Sequence, residues 1–190
     1  INGSFGKEFS PHKQWVYHAI KYAEQKDVLF VHAAGNDAKD IDYADNYPTD
    51  ADDKKTEYAD NVITIGALNY EYGDRIVARF SNIGKINVDV FAPGVQIYAT
   101  TPNNSYQFLQ GTSMAAPNVA GVAALIRSYY PKLSAKEVKH ILMDSGVAIT
   151  TNVIVGGKAS DVRPFTNLSK SGKIVNAYNA LLMAEKMSKK

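Results

Sequence analysis

Apolar residues at Trp15, Val16, Ala19, Ile20 and Ala23 recur at three- and four-residue intervals, which predicts an amphipathic helix. Ser10-Pro11 stands before it as a cap followed by proline at the first helical position. The pattern then changes. After the polar turn Gln25-Lys26-Asp27, the run Val28-Leu29-Phe30-Val31-His32-Ala33-Ala34 is continuously apolar, as expected of a strand covered on both faces in a parallel sheet. Val62-Ile63-Thr64-Ile65-Gly66-Ala67 reads the same way, and Val88 to Gly94 is a shorter strand. Ile97 to Thr100 and Tyr106 to Gln110, joined by Pro102-Asn103-Asn104-Ser105, read as a hairpin. Val119 to Ile126 has hardly a polar atom on any side and is expected to be a buried helix, with Pro117 marking its start. Ser134-Ala135-Lys136-Glu137 forms a capping box for a helix with Val138, Ile141 and Leu142 inward, which Gly146 ends. A last helix, about Ala177 to Met187, starts after Asn176, and the connector before it shows no period. Strand, helix, strand is the pattern of a right-handed crossover. The expected fold class is α/β, a mostly parallel sheet flanked by helices around a buried central helix.

At 190 residues and 45% hydrophobic content the chain can bury one sizeable core. A net charge of +2 gives no reason to expect nucleic acid or a membrane surface as a partner. The absence of cysteine excludes disulfides, thiolate catalysis and Cys-based zinc. No run approaches the roughly 18 apolar residues of a membrane helix. Residues 37–60 hold nine of the nineteen acidic side chains and are read as a solvated loop in preference to a calcium site. A structural calcium ion is compatible with that loop but assignable to no particular residues. Ile1-Asn2-Gly3-Ser4-Phe5-Gly6 reads as the end of a strand entering a glycine loop, as though the chain began inside an element, so an incomplete domain is expected.

The candidate chemistry sits at Gly111-Thr112-Ser113. A hydroxyl at the mouth of an apolar helix is held by a rigid element, with unpaired N–H groups of the first turn close by and a dipole that favours negative charge. Those are conditions for holding an oxyanion. Asn36 follows the Val28–Ala34 strand, so its amide, with two N–H donors, projects from the carboxyl end of a sheet strand, where open α/β folds bind ligands.

Gly111-Thr112-Ser113-Met114-Ala115-Ala116-Pro117-Asn118-Val119-Ala120-Gly121 resembles the nucleophile block of the subtilisin-like serine proteases, the subtilases. Ala33-Ala34-Gly35-Asn36 resembles their A-A-G-N segment, and Ser4-Phe5-Gly6 their S-L-G segment. Phe80-Ser81-Asn82-Ile83-Gly84 and Val90-Phe91-Ala92-Pro93-Gly94 are similar to further family blocks and are expected to be scaffolding. The resemblance implies a serine endopeptidase working through an acyl-enzyme, with Ser113 as nucleophile and Asn36 beside the Ser113 N–H as oxyanion donors. It implies that Ser4, Phe5 and Gly6 pair with an extended peptide, and that Ala33, Ala34 and Gly35 form the opposite wall, with Gly111 and Thr112 between. Tyr47-Pro48 resembles a family turn at the pocket base, which leaves Asn46 near the site but outside it. No cofactor is implied for the chemistry. Family habit implies an extracellular or periplasmic location.

A serine hydroxyl needs a base and the base a carboxylate. The family supplies them from D-[ST]-G and H-G-T blocks that precede the S-L-G segment, where this sequence begins. Asp144-Ser145-Gly146 spells the first motif but follows Ser113 at a helix end, and none of His12, His18, His32 and His140 precedes Gly-Thr. His32, in an apolar strand, reads as a buried ring with its polar atoms satisfied. The expected partners are a peptide or protein substrate and an amino-terminal half of the same domain, and the chain taken alone is expected to self-associate through the apolar area and open sheet edge that half would cover. The alternative reading is a non-catalytic domain that binds extended peptide by strand addition.

Overall fold

A computed structural model of the protein describes residues 1–189. The chain runs β1 (Asn2–Gly3), α1 (Lys13–Gln25), β2 (Phe30–Ala33), β3 (Val62–Leu68), β4 (Val90–Pro93), β5 (Ile97–Thr101), β6 (Ser105–Leu109) and α2 (Thr112–Tyr129). It continues through α3 (Ala135–Asp144), β7 (Val147–Ala148), β8 (Asn152–Ile154), β9 (Val162–Pro164), a 3-10 turn at Phe165–Asn167, β10 (Lys173–Ile174) and α4 (Ala177–Ser188). The main sheet has the order β1-β2-β3-β4-β10-β7. All its pairs are parallel except β10 with β7.

The sheet is parallel because its strands are apolar on both faces and both faces are covered. Every residue of β3 is buried. On one side α2 packs against β2, β3 and β4. Its inward positions are Ala115, Ala116, Val119, Ala123 and Ile126, and small side chains here let the helix lie close to the sheet. On the other side Phe91 packs against Phe165 with ring centroids 5.2 Å apart, joined by Val88, Ile149, Val153 and Leu168.

Several sequence expectations are corrected. The first helix has His12 at its N-cap position, with no capping bond from that side chain, and Ser10 and Pro11 lie outside it. Trp15 is 72% exposed and stacks on His12, while Tyr17 and Ile20 turn inward. Periodicity located the apolar face of α1 but not what covers it: Ile1, Phe5, Trp15, Val16, Ala19 and Phe30 line an open groove of about 370 Å³. The central helix starts at Thr112, so Pro117 lies inside its second turn. That helix is not buried all round: Gly121, Ala124, Leu125 and Ser128 are exposed. Gly146 is not a left-handed helix stop; it lies against β10, where a Cβ would come within 2.7 Å of the Ile174 carbonyl oxygen. The connector without a period holds β7 to β10, strands of two or three residues that are too short to alternate.

The acidic segment is only partly a solvated loop. Lys139 on α3 is fully buried, with Nζ 2.8 Å from Glu57 Oε2, 3.6 Å from Asp60 Oδ1 and 3.9 Å from Asp50 Oδ2. The segment is folded onto α3 because a buried ammonium must be paired. Burial, reinforced by neighbouring Asp89, pushes Asp50 up to about 7.

The Ser134 capping box is present, with Ser134 Oγ accepting from the Glu137 N–H and Glu137 accepting from the Ser134 N–H. Ser134→Ala is expected to cost about 1 kcal/mol of stability, read as a lower denaturant midpoint at unchanged slope. A loss below about 0.3 kcal/mol would mean that packing alone holds the start of α3.

Candidate active site

β1, β2 and β4 run parallel, so the segments that follow them leave the sheet at one edge. Ser4-Phe5-Gly6 follows β1, Gly35-Asn36 follows β2, and Gly94, after β4, accepts the Gly111 N–H at 2.8 Å. That bond brings the start of α2 to the same edge. The cleft between them, about 470 Å³, is lined by Ser4, Phe5, Gly6, Ala33, Gly35, Asn36, Thr112 and Ser113. Lys7, Glu8, Asp37 and Asn46 complete its rim. Ala34 stands behind this wall, fully buried.

Asn36 is held by its oxygen. Oδ1 accepts from the Thr112 N–H at 2.9 Å and from Thr112 Oγ1 at 3.0 Å, and that hydroxyl oxygen accepts the Gly35 N–H at 3.1 Å. This network fixes the amide so that Nδ2 is left for another acceptor. Gly111 sits at φ +147°, and a Cβ built on it would stand 3.6 Å from both Asn36 Nδ2 and the Ser113 nitrogen. Two N–H donors therefore border one small space. The Ser113 N–H, in the first turn of α2, has no partner among the described residues.

Ser113 and Ser4 are tied across the cleft mouth. Pro117 has no N–H to offer the Ser113 carbonyl four residues back, and Ser4 Oγ donates to that carbonyl instead at 3.1 Å. Ser113 Oγ lies 3.5 Å from the Ser4 carbonyl oxygen, at the limit of hydrogen bonding. Among the described residues no histidine lines the cleft, and no carboxylate pairs with Ser113.

Two residues outside the expected site hold its walls. Asn82 Nδ2 donates to the Ala34 carbonyl at 2.8 Å, and its Oδ1 accepts the N–H groups of Asp37 and Lys39 at 3.1 and 2.9 Å. This clamp fixes the turn that carries Asn36. It also explains Gly35, at φ +100°, where a Cβ would meet Asn82 Nδ2 at 2.4 Å. Asn82 lies in the Phe80–Gly84 block, which the sequence marks only as scaffolding; the backbone groups it bonds are forty or more residues away. Asn46, left outside the site by its sequence, donates to the same Ala34 carbonyl at 3.2 Å and lines the cleft. The position beside Tyr47-Pro48 was its signal.

Beneath the cleft, His32 is fully buried with Nε2 3.0 Å from the Phe5 carbonyl oxygen. Burial holds the ring down to about 4, against the opposing pull of that carbonyl, so it is neutral at pH 7 and donates Nε2–H. Among the described residues no three His, Cys, Asp or Glu side chains are grouped to hold a metal ion. No helix there is long and apolar enough to cross a membrane.

The sequence profile of the subtilase family matches residues 1–174. Subtilisin-like protease 1 of Plasmodium falciparum is 36% identical over 191 residues, covering 91% of this chain and 26% of that protein. Subtilisin DY of Bacillus licheniformis is 36% identical over 143 residues, 73% of this chain and 46% of that one. Among solved structures, a protease of Pseudoalteromonas arctica aligns with a TM-score of 0.71 and 29% identity, covering 97% of this chain and 50% of that one. The prenylagaramide maturation protease PagA aligns with a TM-score of 0.71 and 26% identity, covering 97% and 61%. The chain thus spans between about a quarter and a half of the length of these curated relatives.

Proposed function

Because the chain belongs to the subtilase family, we propose that it is the serine-bearing, carboxyl-terminal portion of a catalytic domain that cleaves peptide bonds within polypeptides through an acyl-enzyme. Ser113 Oγ attacks the scissile carbonyl. Asn36 Nδ2 and the Ser113 N–H receive the oxyanion, and the observation that carries this is the pair of donors bordering one space beside Ser113. The helix dipole adds to the stabilisation, since Ser113 lies in the first turn of α2. The substrate lies extended between Ser4-Phe5-Gly6 on one side and Ala33-Ala34-Gly35 on the other, with Gly111 and Thr112 at the reacting carbonyl. Ser4 and His32 keep the first of these walls in place.

The base and its orienting carboxylate come, in this reading, from chain outside these residues that packs on the groove around Trp15 and extends the sheet beyond β1. The exposed apolar groove and the open face of α2 support that placement. The chemistry requires no cofactor, and the location implied by the family is outside the cytoplasm.

The alternative, peptide binding without chemistry, is favoured only by the lack, among the described residues, of a base beside Ser113. A fluorophosphonate that reacts with activated serines separates the two. The complete protein is expected to be labelled on the peptide containing Ser113, and the 190 residues alone to be neither labelled nor active on a peptide ester. A complete protein that leaves Ser113 unlabelled is a binder. Ser113-dependent turnover by the 190 residues alone would show that the base has been misassigned.

A further inference from the structure

A second cavity, about 440 Å³, has Gln110 and Phe80 in its walls and none of Ser4, Phe5 and Gly6. Its walls include Arg75, Arg79, Phe80 and Gln110. Its position follows from the chain path and from neighbouring contacts. Gln110 immediately precedes the Gly111-Thr112-Ser113 turn. The Phe80 carbonyl accepts the Ala38 N–H at 2.9 Å, two residues past Asn36. The turn between β8 and β9 closes the outer side: a Cβ on Gly156 would lie 3.5 Å from Ala38 and one on Gly157 3.2 Å from Arg79. Gln110 and Phe80 thus bring this cavity next to Ser113 and Asn36, on the side away from the residues that line the first cleft with Ser4 to Gly6.

The cavity is cationic. Arg75 and Arg79 are both exposed, and the guanidinium–carboxylate pairs among the described residues belong to Arg127 and Arg163 instead. Glu71 is the one carboxylate among the residues lining it, and it pairs with neither arginine within 4.0 Å. Two unpaired guanidinium groups beside an apolar floor of Phe80 and Val95 suit a side chain that ends in a carboxylate, which arginine binds through paired N–H donors.

Resting on the protease reading above, we propose that this cavity receives the residues on the carboxyl side of the cut and that Arg75 and Arg79 make the enzyme prefer an acidic side chain there. The leaving half of the substrate is thus selected by charge, and the acyl half by the cleft around Phe5.

The test uses the complete protease and quenched peptides that are identical before the cut and carry Glu, Gln or Lys at the second or third residue after it. At low salt, kcat/KM for Glu is expected to exceed that for Lys by about tenfold, with Gln between. The preference should shrink several-fold in 0.5 M salt, because both arginines are exposed. Within the doubly substituted Arg75→Glu/Arg79→Glu enzyme the order should reverse. An equal rate for all three peptides, or a Glu preference that survives both salt and charge reversal, overturns the proposal. If the double variant does not fold, the salt dependence of the unaltered enzyme decides alone. Hydrolysis by that enzyme of an ester with nothing after the cut reports on the protease reading separately: an inactive ester assay sinks that reading, whereas an active one with no charge preference sinks only this inference.

Discussion

Ser113→Ala in the complete protease is expected to lower kcat by on the order of 10⁶-fold, a magnitude taken over from the triad serine of subtilisin itself. KM should change little, because in the proposed reading the substrate is held by Ser4–Gly6 and Ala33–Gly35 on either side of the cleft rather than by the hydroxyl. Stability should stay within about 0.5 kcal/mol, the range of substitutions that break no structural contact. The geometry supports this, since among the described residues the only hydrogen-bond partner of Ser113 Oγ is the Ser4 carbonyl oxygen, at 3.5 Å. The link between Ser4 and α2 survives the substitution, because Ser4 Oγ donates to the Ser113 main-chain carbonyl. Residual catalysis of about 10³–10⁴ over water should remain, supplied by the oxyanion donors and substrate binding. Active-site titration and stopped assays on the purified variant measure this. A loss smaller than about 10²-fold would mean that another group is the nucleophile.

The parts of this fold that could be read from the sequence are those where one physical demand dominates. β2 and β3 stand out because strands covered on both faces must be apolar throughout, and α3 because Ser134 and Glu137 are placed to satisfy the two ends of one capping box. β7 and β10 could not be read, because two residues carry no alternation, and β10 is held by its backbone pairing with β4 and β7. Lys139 was hidden for a different reason. It is polar, adjacent to inward Val138, and only the approach of Glu57 and Asp60 from another part of the chain makes its burial tolerable. The exposure of Trp15 could not be read, because a period reveals which residues share a face but not whether anything packs there. In the candidate site, Ser113 and Asn36 were legible from short local blocks. Asn82 was not, because its role is to bond three backbone groups of a turn some forty residues away, a tertiary fact that no local pattern records.

Asn36→Asp and Asn36→Ala, compared in the complete protease, separate the two jobs of this side chain. The amide oxygen accepts from the Thr112 N–H and hydroxyl, and a carboxylate of the same length can still accept both. Asn36→Asp is therefore expected to keep its stability. It loses the Nδ2 donor, however, and sets a negative charge where the oxyanion forms. Loss of one such donor costs about 10²–10³ in kcat, again a subtilisin value taken over, and the added repulsion should bring the fall to about 10³ or more. Asn36→Ala loses the same donor without adding charge, so its kcat should fall by about 10²–10³ only. It should also be less stable by about 1–3 kcal/mol, because Thr112 is fully buried and its N–H is left without an acceptor. The crossed ordering is the informative result: the aspartate variant the more stable and the slower, the alanine variant the less stable and the faster. Turnover under saturating substrate gives one axis and a denaturant melt the other. An aspartate variant with more than about a tenth of the original kcat would remove Asn36 from the oxyanion site, whatever the melt shows.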